Sequence, residues 1–566
     1  MKLKTSFFNA TILRKDITRF FPIWGLYLIG GSLTLLTSLA ALANSDSLVM
    51  GVASNLQFMG AANMIFALLS ALLLFGDLFK PRHCNMLHAM PIRRETWFNT
   101  HFVAGLLFSF VPNLLLALPI TLFCGRHWYV GIIWLVTCDL QYLFFFCTAV
   151  FAVMCAGKKF AATAIYLLLH FAAFIIYWFL SVYYVPLMSG IVLEIDRFIP
   201  FCPVVQLIAA PFIDYKRNYY PINPNYPYSE KYSVFTVNGL APNFYYLLIV
   251  AAVGFGFAVL ALVMYRRRRL ETAGDFMSAR PLAPVFSLIY TLSVGALFHL
   301  LFGGIALFLP IGLAVGYFTS QMLLQRKVNV FQRRRMGIFG LIVLVALLSL
   351  GATWLDPLGV TRYVPKASQV KAVVISDSYG INYNFDSSLP GDEIIGGPIS
   401  NDTERIETIT TLHKAIVKET VTPLKKLLIP FISDDTATVS VVYQLKSGYQ
   451  LQRRYEVPLN SDAGKQTIAF FSSPEYVFGC DDWDTYLSSV TRVVVGDNAF
   501  YGQQAEELLL AMKADCELGR MGSYAGGNYE GFIEIRRGDA WQDVTVYSTC
   551  KYTVSWLNKH CPGWDY

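Results

Sequence analysis

The chain is short of charge. Of its 566 residues only 15% are Asp, Glu, Lys or Arg, whereas 55% are hydrophobic and the mean hydropathy is +0.47. That balance excludes an ordinary soluble protein. Several chemistries lack their motifs as well. There is no G-x-x-x-x-G-K-[ST], and Gly157-Lys158-Lys159 has neither the upstream glycine nor the Ser/Thr that would hold a phosphate and Mg²⁺. No H-E-x-x-H or G-x-S-x-G occurs. His83, Cys84 and His88 are neighbours without further ligands close by, so no metal is expected. The chain is therefore expected to be neither an ATPase nor another enzyme, and to hold no cofactor of its own. The N-terminal MKLKTSFFNA lacks a short apolar stretch followed by a small-residue cleavage site, so the first apolar run is expected to remain in place.

The charge that exists is unevenly placed. Residues 1–355 carry 26 Lys/Arg against 11 Asp/Glu, a net +15, while residues 356–566 carry 19 against 27, a net −8. In the first part the basic residues sit in short clusters between apolar runs. That is the pattern of loops beside anionic lipid, so the bilayer is the expected partner and nucleic acid is not. A helix crossing a bilayer needs about 20 apolar residues, because each backbone polar group must be satisfied within its own segment. Nine runs qualify, near 22–43, 55–76, 102–124, 129–156, 160–184, 243–265, 284–302, 304–324 and 337–355, and the pair around Gly303-Gly304 can also be drawn as one hairpin dipping partway. The loop set that includes the N-terminus holds 21 Lys/Arg and the other set five. The N-terminus is then expected in the cytoplasm, and nine crossings put the tail from Asp356 onward outside. An even count would reverse the tail.

The fold class expected is an α-helical polytopic membrane protein of about nine transmembrane helices with a C-terminal extracytoplasmic α+β domain. Its divisions are an interfacial amphipathic helix in 1–21, a transmembrane domain in 22–355 and the external domain in 356–566. In the first, Ala10, Leu13, Ile17 and Phe20 recur at helical spacing with Lys4, Lys15 and Arg19 opposite, which suits a helix lying in the interface or a basic flank of the first span. Few polar residues enter the spans. Asp139 stands near the middle of the fourth, and an ionisable group at that depth is a candidate site, with His170 or His299 as possible partners. The alternative is that Asp139 hydrogen-bonds a neighbouring helix.

The tail carries strand signals that the first part lacks. Val439, Val441, Tyr443 and Leu445 alternate up to a turn at Lys446-Ser447-Gly448, and Tyr449, Leu451, Arg453 and Tyr455 alternate back. Before this hairpin, Asp402 or Thr403 caps a helix bearing Ile406, Ile409, His413 and Ile416 on one face. A similar order returns as a strand at 493–495, a helix at 503–514 and a hairpin turning at Arg537-Gly538-Asp539, which suggests two βαββ halves. Cys480, Cys516, Cys550 and Cys561 allow three disulfide pairings or none.

Between the second and third runs, the polar stretch from Asp77 to His101 contains His88-Ala89-Met90-Pro91-Ile92-Arg93-Arg94. This string resembles the loop H-[SA]-[LM]-P-[IL]-[RK]-R that follows the second span in the type-2 ABC exporter permeases of Gram-positive bacteria. Tyr265 with Arg266 to Arg269, Leu270 to Asp275 and Arg280-Pro281-Leu282 is similar to a second segment of that family. Thr361-Arg362-Tyr363-Val364-Pro365 is similar to the opening of the extracytoplasmic domain in one branch, and Arg14-Lys15-Asp16 and Phe20 to Trp24 also look like that branch. The resemblance implies a permease subunit in a bacterial cell membrane, working as an exporter. Its partners would be separate ABC ATPase subunits, which carry the ATP and Mg, and a second permease subunit, identical or related. His88, Met90, Pro91, Ile92, Arg93 and Arg94 would then form the ATPase-docking loop, although Arg93 and Arg94 also serve as positive-inside anchors in any case. The reading from a different class is a membrane-anchored sensor or assembly protein that relays external ligand binding without transport.

Overall fold

A computed structural model of the chain describes residues 7–39, 45–193, 198–221, 231–268, 270–303, 308–377, 402–419, 436–480, 482–496, 498–522, 524, 527–538, 540–561 and 564. The chain divides into two compact units, Met1–Phe179 with Glu194–Leu341, and Leu180–Leu193 with Ile342–Tyr566.

The first unit is built of helices, as runs that must satisfy their own peptide groups require. In order they are α1 (Ala10–Arg19), α2 (Phe21–Leu39), α3 (Ser45–Leu74), α4 (Pro81–Ala89), α5 (Arg94–Phe123), α6 (Tyr129–Cys155), α7 (Lys159–Phe179), α8 (Pro203–Ala209), α9 (Asn243–Arg267), α10 (Ala283–Leu301), α11 (Phe308–Gln325) and α12 (Arg333–Leu355), the last running across the division. A short antiparallel pair, β2 (Ile213–Pro221) and β3 (Lys231–Leu240), follows α8, and β1 (Gly190–Ile191) precedes it in the chain. Helix α6 packs against α3, α5, α7 and α9, and most of its length is buried among them. Helices α10 and α11 form an antiparallel hairpin, with Ser287 hydroxyl to Ser320 hydroxyl at 2.6 Å near one end and Phe302 stacked on Phe308 at the other.

Seven helices are by themselves long and apolar enough to cross a membrane, and an eighth is available if α1 and α2, bent by 59°, count as one broken span. Helix α11 is not among them, because Pro310, Thr319, Ser320, Gln321 and Gln325 dilute its 18 residues. The protein is thus an α-helical multi-pass membrane protein with seven or eight candidate spans among the described residues, where the apolar runs alone predict nine.

Helix α1 turns much of its apolar face to protein. Leu13, Ile17 and Phe20 pack on the helical core, and Asp16, itself buried, sets Oδ2 2.6 Å from Nδ1 of His101 on α5. The side chain of Asn9 caps its first turn by accepting from the amides of Thr11 and Ile12.

The second unit holds two four-stranded sheets. One has the order β1-β6-β5-β4, with β4 (Val370–Ser376), β5 (Thr436–Leu445) and β6 (Gln450–Pro458) all antiparallel; α13 (Thr403–Glu419) and α14 (Asp462–Phe471) cover it. The other has the order β10-β9-β7-β8, with β7 (Val490–Val495), β8 (Asn498–Phe500), β9 (Tyr529–Arg537) and β10 (Ala540–Tyr547), covered by α15 (Gly502–Glu517) and α16 (Lys551–His560). Strand, helix, hairpin and helix therefore occur twice in the same order. The hairpins turn at Gly448 and Gly538, both at positive φ. The two sheets differ at both edges: β8 flanks β7 in the second, whereas the corresponding β4 is an edge strand in the first. The first is extended by β1, a piece of the segment between α7 and α8, whose Gly190 and Ile191 face Arg454 and Arg453 of β6. Nothing in the residue pattern of that segment foretells this pairing.

His413 of α13 is wholly buried between two phenols, Nδ1 2.9 Å from the Tyr443 hydroxyl and Nε2 2.8 Å from that of Tyr455. Burial, and secondarily the charge of Arg453, pushes its pKa down to about 3. The folded imidazole therefore refuses a proton that the unfolded chain accepts from about pH 6.5 downward, so its contribution to stability is complete above that value and is lost as pH falls toward 3. Hydrogen-exchange protection of the β5 and β6 amides, corrected for intrinsic exchange, is expected to fall by up to about tenfold per pH unit below 6. A His413→Gln protein should show a flat profile; a steep profile in that variant would assign the effect elsewhere.

Candidate functional site

Two clusters in the first unit bring together residues far apart in sequence. One gathers the loop after α3 and the segment after α9. Pro81 starts α4, where its missing N–H costs nothing, and Pro91 stops the chain from continuing as helix. Arg93 lies in an extended conformation as the N-cap position of α5, and Arg94 begins that helix. The Arg94 guanidinium donates to the carbonyls of Arg266 (3.2 Å) and Arg268 (3.4 Å), and Glu95 pairs with Arg266 at 3.2 Å. Arg268 is only 8% exposed. It donates to the carbonyls of Val153 and Met154 at the end of α6 and of Leu78 before α4. The strings 88–94 and 266–282 thus meet at one place.

Residues 272–279 clasp the end of α6. The amide of Gly274 donates to Gly157 O at 2.8 Å and that of Ser278 to Cys155 O at 2.7 Å. A Cβ on Gly157 would stand 2.3 Å from Asp275 O and 2.5 Å from Thr272 O, so only glycine lets these backbones approach. What remains outward on the α4 loop is Arg82, His83, Asn85, Met86 (62% exposed), Met90 (41%), Pro91 and Arg93, while Ile92 is half-buried. His88 lies on α4 by its backbone. His83 meets Asp77 at 3.1 Å. Arg93 and Arg94, adjacent in the string, therefore part: Arg94 is tied into the fold and Arg93 faces outward.

The second cluster is a chain of hydrogen bonds among the spans. Asp139 of α6 accepts at Oδ1 from the Ser109 hydroxyl (2.7 Å) and the Asn113 amide (2.9 Å), both on α5. The Asn113 amide also reaches the Tyr27 hydroxyl of α2 at 3.1 Å, and that hydroxyl donates to Asn63 Oδ1 of α3 at 2.6 Å. Asn63 in turn donates to Gln141 Oε1 at 3.0 Å, and Gln141 to Leu207 O of α8 at 3.1 Å. Five helices are linked in this way. Among the described residues Asp139 Oδ2 accepts nothing. The structure does not join Asp139 to His170. His170 sits on the Thr148 hydroxyl at 3.0 Å, ringed by Phe144, Phe145 and Tyr166. Thr148 lies nine residues beyond Asp139, about 13 Å along the same helix. His299 packs on Trp178 instead.

Sequence reasoning missed Arg268 among its basic neighbours, although its spacing from buried Tyr265, one turn back, is a signal for a shared inward face. It also passed over Ser109 and Asn113, whose i, i+4 spacing inside an apolar run puts two polar groups on one stripe. Asp139→Asn keeps the acceptor that both donors use, so thermal unfolding of the detergent-solubilised chain should shift little. Asp139→Leu removes the acceptor that the Ser109 hydroxyl and the Asn113 amide share and is expected to cost about 1–2 kcal/mol. Equal midpoints for the two variants would show that this bond network carries no stability.

A scan against protein-family models and searches of curated proteins and of solved structures returned no match for this chain.

Proposed function

We propose that this protein is the membrane-spanning permease subunit of an ABC transporter, acting as an exporter in a bacterial cell membrane with ATP hydrolysed, with Mg, on separate ATPase subunits. The observation that carries the reading is the meeting of the strings 88–94 and 266–282. Each resembles a segment of the type-2 permeases, and their contact makes one braced knob of two loops, with Arg82, Met86, Met90 and Arg93 turned outward. A link that transmits force from an ATPase to the spans has to be short and held at both ends. The α4 loop is held by α3, by α5 and by Arg268 beneath it. Its two methionines give an adaptable apolar contact and its two exposed arginines an electrostatic one. A second permease subunit, identical or related, completes the pathway, and lipid covers the remaining faces.

The orientation proposed has the N-terminus in the cytoplasm and the tail outside. Pairing of β1 with β6 requires an even number of crossings between Ile191 and Arg453. Helices α9 and α12 supply two, so α10 and α11 either both cross or both return. The alternative reading, a sensor or assembly protein without transport, is favoured by the same pairing, because it makes a segment following α7 part of the tail's own sheet.

Met86→Asp combined with Arg93→Glu is expected to abolish co-purification of an ATPase subunit and vesicle-associated ATP hydrolysis while the unfolding midpoint stays within about 1 °C. Unchanged coupling would remove the docking role from this loop. A single cysteine at exposed Ser447 should react with a membrane-impermeant maleimide on intact cells; one at Met86 should react only after lysis. The opposite pattern inverts the topology.

A further inference from the structure

The second unit buries a charge that no carboxylate meets among the described residues. Arg453 of β6 points to the α13 side of its sheet, in line with Tyr455 and Val457, and is 5% exposed. Its one hydrogen bond runs from Nη2 to the carbonyl of Val360 at 2.8 Å. Nε has no acceptor, and no carboxylate pairs with the guanidinium among the described residues. A guanidinium keeps its charge when buried, and a buried charge left uncompensated is strongly unfavourable. Among the described residues the surroundings supply hydroxyl and ring groups rather than an anion. Tyr455, two residues along the same face, is bonded to His413, whose other nitrogen meets Tyr443. A neutral imidazole donates from one nitrogen and accepts at the other. When Nε2–H donates to the Tyr455 oxygen and the Tyr443 hydroxyl donates to Nδ1, the O–H of Tyr455 is left free to donate elsewhere.

Two further segments close around these residues. Gly190, at φ +78°, lies against Tyr455, and a Cβ there would fall 2.2–2.5 Å from the ring edge and hydroxyl. Asp356, also at positive φ, accepts from the amides of Val360 (2.9 Å) and Thr361 (3.0 Å) and from the Thr361 hydroxyl. These bonds set the turn that presents the Val360 carbonyl to Arg453. Val360 itself is exposed, so one wall of the site lies at the surface.

We infer that Arg453 and Tyr455, framed by Gly190 and Val360, form a binding site for an oxyanion, a phosphate or carboxylate group that takes the guanidinium fork and the free phenol hydroxyl together. Planar, doubly donating recognition of that kind is what distinguishes Arg at phosphate and carboxylate sites. The site stands whether or not the chain transports. It is built from β6 and from two segments that each leave a long helix within a dozen residues, Gly190 after α7 and Val360 after α12. Occupancy therefore stiffens three separate stretches of chain at one point.

The test is isothermal titration of the full chain with inorganic phosphate at constant ionic strength in neutral-lipid nanodiscs, paired with thermal unfolding in neutral discs and in discs containing phosphatidylglycerol. Saturable phosphate binding that Arg453→Met eliminates and Tyr455→Phe weakens by about tenfold, the loss of one hydrogen bond to a charged group, supports a soluble oxyanion. Stabilisation confined to phosphatidylglycerol discs and lost in both variants supports a lipid headgroup phosphate. A response of equal size in the parent and in Arg453→Met, or none in either arm, overturns the site. Tyr455→Phe keeps the core volume and the arginine, so it reports even where Arg453→Met folds poorly.

Discussion

A peptide or side-chain polar group inside hydrocarbon has no water to bond, and the first unit is organised by that constraint. It makes each apolar run a helix, and it makes the few polar residues on those helices seek one another. Asp139, Ser109, Asn113, Tyr27, Asn63 and Gln141 come from four helices and reach a fifth through Leu207 O. Each bond is individually modest in a bilayer. Its geometric effect is larger, because a polar group can be satisfied at only one rotation and one depth of its helix. α6 carries two of these residues and packs on four other helices, so it sets the register of the bundle.

The same accounting operates at the basic end of the unit with carbonyls as the acceptors. A helix ends with carbonyls that nothing within it bonds. Arg268 takes up Val153 O and Met154 O at the end of α6 and also Leu78 O, so one buried side chain joins the exit of one helix to the approach of another. Arg94 does the same for the end of α9. The outward residues of the α4 loop rest on this frame. Arginine suits the task because its fork meets several oxygens from one position.

In the second unit the recurring βαββα order yields two sheets with separate apolar cores, which differ at their edges, β1 being added beside β6 in one and β8 beside β7 in the other. An open edge presents unpaired backbone groups. On β6 that edge is occupied by Gly190 and Ile191, and there the core departs from apolar packing: His413 lies between two phenols and Arg453 lies buried beside them. The second sheet has an apolar face of Ile533, Ile535, Val544 and Val546 in the corresponding hairpin. The second half places its buried charge, Asp515, between α15 and α16, where it accepts from Thr553, and not on the sheet's hairpin.

The legible part of this protein is what depends on residues close in sequence. Hydrophobic runs of spanning length, the alternation of Val439 to Leu445 and Tyr449 to Tyr455, the turns at Gly448 and Gly538 and the cap at Asp402 all act through local geometry, and each appears as an element near its anticipated bounds. The crossing number was less legible because α11 mixes apolar and polar residues, and because α1 and α2 are bent by 59° while Asp16 of α1 meets His101 of α5. The candidate docking loop could be outlined from its string, yet which of Arg93 and Arg94 faces outward could not. Asp139 could be singled out by depth, but its neighbours could not, since His170 and Asn113 are equally polar on paper and only the helix rotation decides between them. By itself the sequence determined that the chain is a helical membrane protein with a strand-bearing tail, because burial of backbone polar groups leaves no other form for such runs. Only the tertiary structure decided which distant groups meet, Arg94 with Arg268, Asp139 with Asn113, Gly190 with Tyr455, because those contacts depend on the rotation, depth and register of whole elements, and these are set by the packing of all of them together.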